Sequence, residues 1–209
     1  MKALPIQARA KQKRAALITA AKECFVKHGY DNTTAKSIAS CAGVATGTFY
    51  QYFDNKEDIL CVIAQQRIED LYQQVPSARE LFTLSENAQQ NSVKADATQA
   101  IFLYVLELIY SFHEEEPELH QVLEQRRALD TRLAEILGQG ETLLDERVLL
   151  FVQSFNIKNA NAVAFNLFAM AEGLVHRHVF GNSSQSKATT LQLGAAMLAS
   201  YFDHLQNNR

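Results

Sequence analysis

Between Thr34 and Lys56 the chain reads Thr-Ala-Lys-Ser-Ile-Ala-Ser-Cys-Ala-Gly-Val-Ala-Thr-Gly-Thr-Phe-Tyr-Gln-Tyr-Phe-Asp-Asn-Lys. Two short helical patterns meet there at a glycine, and that pattern leaves little choice of local fold. The Thr34 hydroxyl can take an orphan backbone N–H at the start of the first helix. Ile38, Ala39 and Ala42 give that helix an apolar stripe. Gly43 stands where the chain must turn, a place for positive φ that a Cβ penalises. Val44 plugs the corner, and a second helix, about Ala45 to Tyr52, turns Phe49 and Phe53 inward. Thr46, Gly47, Thr48, Tyr50 and Gln51 are left outside. A helix face of small polar residues lets the backbone approach base edges closely, which is what a helix-turn-helix needs in a major groove.

Gly43-Val44-Ala45-Thr46-Gly47-Thr48-Phe49-Tyr50-Gln51-Tyr52-Phe53-Asp54-Asn55-Lys56-Glu57-Asp58-Ile59-Leu60 resembles the signature of TetR-family transcriptional regulators, roughly G-V-S-x-G-S/T-L/F/I-Y-x-H/Y-F-x-S/N-K-E-x-L. The likeness extends upstream through Ala20–Phe25 and His28–Thr34 and covers about residues 9 to 60. Within this stretch Tyr50, Tyr52 and Lys56 suit phosphate contacts, since a hydroxyl or ammonium positions the backbone without reading sequence. Lys36, Thr46, Thr48 and Gln51 suit base edges, Ala45 can touch a thymine methyl, and Thr34 opens the first helix beside them.

The charge distribution agrees. Net charge is −3, but residues 1–50 hold eight basic residues against two acids, and residues 51–209 hold twelve against twenty-one. A basic head on an acidic body suits a polyanion-binding module attached to another function. The expected division is 1–56, a helix-turn-helix DNA-binding domain, and 57–209, a helical effector-binding and dimerisation domain.

Hydrophobic residues make up 47% of the 209, and only three prolines and eight glycines interrupt them, so the expected fold is all-α. After a basic arm containing Arg9, Lys11, Lys13 and Arg14, a helix is expected from about Ala10 to His28, with Leu17, Ile18, Ala21, Phe25 and Val26 as its apolar face. Gly29 ends it. Asp54 or Asn55 caps a fourth helix that runs to about Val75 and stops at Pro76. Residues 76–96 read as a loop with a helical piece. Ala97 to Glu115 is an apolar helix, and Pro117 opens another through Leu119, Leu123, Leu129, Leu133 and Leu137, with a break expected at Gly138 or Gly140. Leu143–Phe155, Asn159–Phe180 and Lys187–Leu205 are further helices.

The last two helices are apolar almost all round, whereas the outer helix of a monomer keeps one polar face. Either they lie central in the domain or they pack across a two-fold axis. The resemblance implies the second, with Phe165, Phe168, Ala195, Ala196, Ala199 and Phe202 at a homodimer interface. Phe102, Tyr104, Tyr110, Phe112, Phe151 and Phe155 are either plain core or the lining of an effector cavity, and the resemblance implies that some face a ligand. Basic residues are sparse there outside Arg126, Arg127, Arg132 and Arg147, which favours a largely apolar, neutral or cationic effector.

The chain carries no G-x-S-x-G, P-loop or G-x-G-x-x-G motif, so no enzyme is expected. Cys24, Cys41 and Cys61 lack metal spacing and read as small core residues of a cytoplasmic protein. No signal peptide, membrane span or cofactor is expected. His113, Glu114, Glu115, Glu116, Glu118 and His120 read as a solvated helix end, not a metal site. His176 and His178, two apart on a helix, point in different directions. The leading expectation is a homodimeric repressor released from a palindromic operator by a small apolar ligand. The alternative is a helical ligand-binding or protein-interaction module without effector-controlled DNA binding.

Overall fold

The computed structural model describes residues 8–77, 79–81, 83, 94–181 and 183–207. Among them the chain is helical, with no strand: α1 Ala8–His28, α2 Ala35–Cys41, α3 Thr46–Tyr52, α4 Lys56–Gln74, α5 Lys94–Glu115, α6 Pro117–Arg127, α7 Thr131–Ser154, α8 Ala160–Val179 and α9 Lys187–Asn207. Residues 1–7 of the expected arm, and 84–93 of the expected loop, lie outside the described residues. No helix among the described residues is long and apolar enough to cross a membrane.

The helices pack as two compact units. The first takes the chain up to Glu69 together with Glu118–Gln139, and the second takes Asp70–Pro117 and Gly140–Arg209. The packing division therefore falls within α4, not at 56/57, and the first unit is completed by a segment from the middle of the chain. Leu119, Val122, Leu123 and Leu133 are buried in the same cluster as Leu17, Phe25, Ile38, Phe49, Phe53 and Ile63. Val26, expected on the inner face of α1, is exposed, because the 3.6-residue period carries position 26 past the buried Cys24–Phe25 edge.

The expected helix break at Gly138 or Gly140 is also corrected. The chain breaks at 128–130, and α7 runs unbroken through both glycines. Asp130 decides this: its Oδ1 accepts the Leu133 N–H at 3.1 Å, and its carbonyl accepts the Ala134 N–H at 2.9 Å. A side-chain cap satisfies a helix start directly, whereas an isolated glycine costs only about 1 kcal/mol and neighbouring turns override it.

In the second unit α9 packs along α5 and α8. Gly194 allows the close approach, since a Cβ there would stand 2.3 Å from Leu174 Cδ2 and 3.3 Å from Leu106 Cδ1. Phe202 is the centre of an aromatic cluster, its ring centroid 5.8 Å from Phe102, 5.3 Å from Phe151 and 5.1 Å from Phe155. Ala195, Ala199 and Phe202 are thus buried in the chain's own core, which corrects their expected place at an intermolecular face. A helix with two apolar faces uses one for its own core, and these three residues are on it. Phe165 (68% exposed), Leu193 (67%) and Met197 (48%) are on the other face. Phe168 and Ala196 are half-buried beside them.

Candidate nucleic-acid interface

The turn region is built by short-range bonds that the residue types dictate. Thr34 and Ser37 form a reciprocal cap on α2: the Ser37 N–H donates to Thr34 Oγ1 at 3.1 Å, and the Thr34 N–H to Ser37 Oγ at 2.9 Å. At the far end Gly43 has φ +67°, the left-handed region that favours glycine. Its N–H reaches the Ser40 carbonyl at 3.1 Å, and the Val44 N–H reaches that of Ala39 at 2.9 Å, which reverses the chain. Val44 is half-buried against the core beneath the corner.

Phe49 and Phe53 hold α3 down, their centroids 5.6 Å apart and both rings buried. The Arg14 guanidinium lies 5.4 Å from the Phe53 centroid, and partial burial lowers its pKa from the usual arginine value, against the opposing pull of Asp58. With that face anchored, α3 turns the other outward. Lys36, Ala45, Gly47, Tyr50 and Gln51 are exposed, and Thr46 and Thr48 half-exposed. A Cβ added at Gly47 would meet nothing within 4 Å, so nothing inside the protein requires a glycine there. Tyr52 is half-buried against the core.

Lys56 is placed by the protein itself. Its ammonium donates to the carbonyls of Tyr30 at 2.9 Å and Asp31 at 3.3 Å, and stands 4.3 Å from the Tyr30 ring centroid. The Arg126 guanidinium is 4.4 Å from the same ring centroid, and the Tyr30 hydroxyl donates to Glu57 Oε1 at 2.9 Å. Burial and this bond push the Tyr30 phenol well above its ordinary pKa, so it stays a neutral donor. Asn55 supplies the α4 cap, its Oδ1 accepting the Asp58 N–H at 2.8 Å. Asp58 is buried and takes Arg132 Nη1 at 3.1 Å. Sequence reasoning missed the Tyr30–Arg126 and Asp58–Arg132 pairs, whose partners are far apart along the chain with no local pattern linking them.

The aromatic residues expected at a cavity separate. Phe102, Tyr110, Phe151 and Phe155 are buried together in the second unit, Phe112 is half-buried, and Tyr104 is exposed. Cys24 and Cys61 are buried as expected, but Cys41 is exposed at the end of α2, its thiol 3.4 Å from Glu23 Oε2. His113 is buried, not solvated, which corrects the reading of that helix end.

The sequence profile described as bacterial regulatory proteins, tetR family, matches residues 17–61. The chain is 33% identical over 133 residues to a fatty acid metabolism regulator protein of Bacillus subtilis, covering 60% of this chain and 68% of that protein. The chain belongs to the TetR family. It is similar also to the transcriptional regulator HbdR of Aromatoleum, 38% identical over 65 residues, which is 31% of this chain and 28% of that one. Among solved structures, a TetR-family regulator from Mesorhizobium loti matches 94% of this chain and 97% of its own length at TM-score 0.69 and 19% identity. The fatty acid degradation regulator FadR of Bacillus halodurans matches 95% and 97% at TM-score 0.61 and 19% identity. These two show the same fold. The TetR helix-turn-helix is therefore the segment Thr34–Tyr52, and transcriptional regulation is the function of this chain.

Proposed function

We propose that the chain is a homodimeric repressor that binds an inverted-repeat operator through α2 and α3 and is released by a largely apolar effector held in the second unit. The observation that carries the reading is the outward face of α3, where small polar residues surround a Gly47 that internal packing does not require. Thr46, Thr48, Gln51, Lys36 and Ala45 are assigned to base edges, and Thr34, Tyr50, Tyr52 and Lys56 to the phosphates.

Dimerisation accounts for the apolar residues left outside. Phe165, Ala169 and Gly173 repeat every four positions on α8, and Leu193 and Met197 do so on α9. Asn166 Nδ2 donates to Tyr201 Oη at 3.0 Å, which ties the two helices beside these stripes. Entry into successive major grooves requires the two copies of α3 in such a dimer to sit about 34–36 Å apart, one helical turn of DNA. Phe165→Glu is then expected to yield a monomer of unchanged helicity in sedimentation equilibrium. A dimer that persists at micromolar concentration would remove this surface from the assembly.

The effector reading is supported by the aromatic core around Phe102, Tyr110 and Phe151, and by the name of the Bacillus subtilis relative, which places that protein in fatty acid metabolism. Arg147, a basic residue expected near this region, is occupied by the Val75 carbonyl and the Tyr72 ring, which leaves it little capacity for an anionic ligand. Effector binding acts through α4, whose residues to Glu69 belong to the first unit and from Asp70 to the second. The decisive experiment selects operator fragments from genomic DNA and follows binding by fluorescence anisotropy while fatty acids and acyl thioesters are added. Reciprocity requires that an effector weakening DNA binding some factor be weakened by DNA to the same factor. Operator binding unmoved by all such compounds would remove fatty acids and their thioesters as the effector, and failure to retain any DNA sequence would remove the repressor reading.

A further inference from the structure

Near their C-terminal ends α5 and α8 bring two histidines together, His113 and His176, separated by 63 positions in the sequence. Their Nε2 atoms stand 2.7 Å apart. His113 Nδ1 is 2.7 Å from the Ile109 carbonyl, and an oxygen there can only accept, so Nδ1 carries a proton and the neutral ring presents its lone pair at Nε2. Metal-ligating histidines are commonly held in this way, with the second ring N–H on a backbone carbonyl fixing the tautomer. One turn before His176 on α8, Glu172 sets a carboxylate oxygen 4.0 Å from His176 Nε2. The Phe180 ring closes one side, 6.0 Å from His113 and 5.4 Å from His176 between centroids. Both histidines lie in the last turns of their helices, where the unpaired carbonyls favour positive charge.

We infer that this cluster is a binding site for a divalent zinc-class ion, with His113 Nε2 and His176 Nε2 as its nitrogen ligands and the Glu172 carboxylate, one turn before His176, as the acidic group beside them. Imidazole suits borderline first-row ions, and a carboxylate completes such sets. Two imidazole nitrogens at about 2.0–2.1 Å from one ion stand about 2.9–3.4 Å apart for bond angles between a right angle and tetrahedral. The rings therefore need to part by only a few tenths of an ångström from their present 2.7 Å. The competing occupant of the gap is a proton donated from His176 Nε2 to His113. The site is independent of the apolar-effector reading, since it uses none of the aromatic core residues assigned there.

The full chain, stripped with a chelator and dialysed, is titrated with zinc chloride by calorimetry and with cobalt chloride by visible absorption. One ion per chain is expected, with Kd on the order of micromolar, and loading raises Tm by a few degrees through mass action. His113→Ala and His176→Ala are expected to weaken zinc binding by at least about tenfold to a hundredfold. Glu172→Gln weakens it less. His178→Ala, whose ring is engaged by the Tyr110 hydroxyl and the Gln185 carbonyl, leaves it unchanged. Circular dichroism checks that each variant folds. Should His113→Ala unfold, X-ray absorption of the zinc-loaded native protein decides, with two imidazoles expected in the ligand sphere. Undiminished zinc binding in the double histidine variant, no zinc binding at all, or an ion without imidazole neighbours would overturn the assignment.

Discussion

Truncating Phe202 to alanine is expected to cost about 3–5 kcal/mol, the range for removing a fully buried aromatic ring. The ring is 1% exposed and touches Phe102, Phe151 and Phe155, so three helices lose a shared contact at once. Urea unfolding at several protein concentrations checks it. A core residue keeps its loss at every concentration, whereas an interface residue shows a loss that shifts with dimer population. Leu129→Ala, at a position 70% exposed in the α6–α7 turn, is the control and should stay within about 0.5 kcal/mol of the native protein. A Phe202→Ala loss below about 1 kcal/mol would mean that the aromatic cluster is not the centre of that core.

The second large effect has opposite signs in two measurements. Gly47→Ala is expected to raise stability by up to about 1 kcal/mol, because alanine is the better helix former and the added Cβ meets nothing within 4 Å. The same methyl is expected to lower operator affinity by about tenfold or more, roughly 1.4 kcal/mol, by holding α3 away from the base edges. Thermal melts and anisotropy on one preparation separate the two. A more stable variant with native operator affinity would mean that DNA does not approach α3 at Gly47. Thr48→Ala and Gln51→Ala should change base preference, while loss of a phosphate contact should weaken binding on all sequences alike.

The helix-turn-helix was legible because its determinants are local. A capping threonine, a glycine at positive φ and two phenylalanines four apart act within twenty residues, and each leaves its mark in residue type. The end of α4 at Pro76 and the turn at Gly29 were legible for the same reason. Pairings across the chain were not. Nothing near Asp58 announces that its carboxylate will meet a guanidinium 74 positions later, and nothing near His113 announces His176. The two-sided apolar pattern of α8 and α9 showed that each has two burial faces. It could not tell which face turns inward, because alanine, leucine and phenylalanine serve a core and an interface alike. The Asp130 cap was legible in principle, since aspartate before a helical run is a start signal, but the two glycines downstream are breakers by residue type and only the tertiary packing overrides them.

The hydrophobic cluster beneath the helix-turn-helix has a timing written into its sequence. Leu119, Leu123 and Leu133 are part of it, so the DNA-reading unit lacks one wall until synthesis passes the end of that unit at Gln139. At about 5–20 residues per second the ribosome needs roughly 4–14 s to go from Glu69 to that point. During that interval the nascent head carries its basic surface but not its full core. A message truncated in this window would therefore release a fragment with the reading helix in its sequence and no finished scaffold to present it. A half-made protein of this design is poorly equipped to hold that helix against DNA.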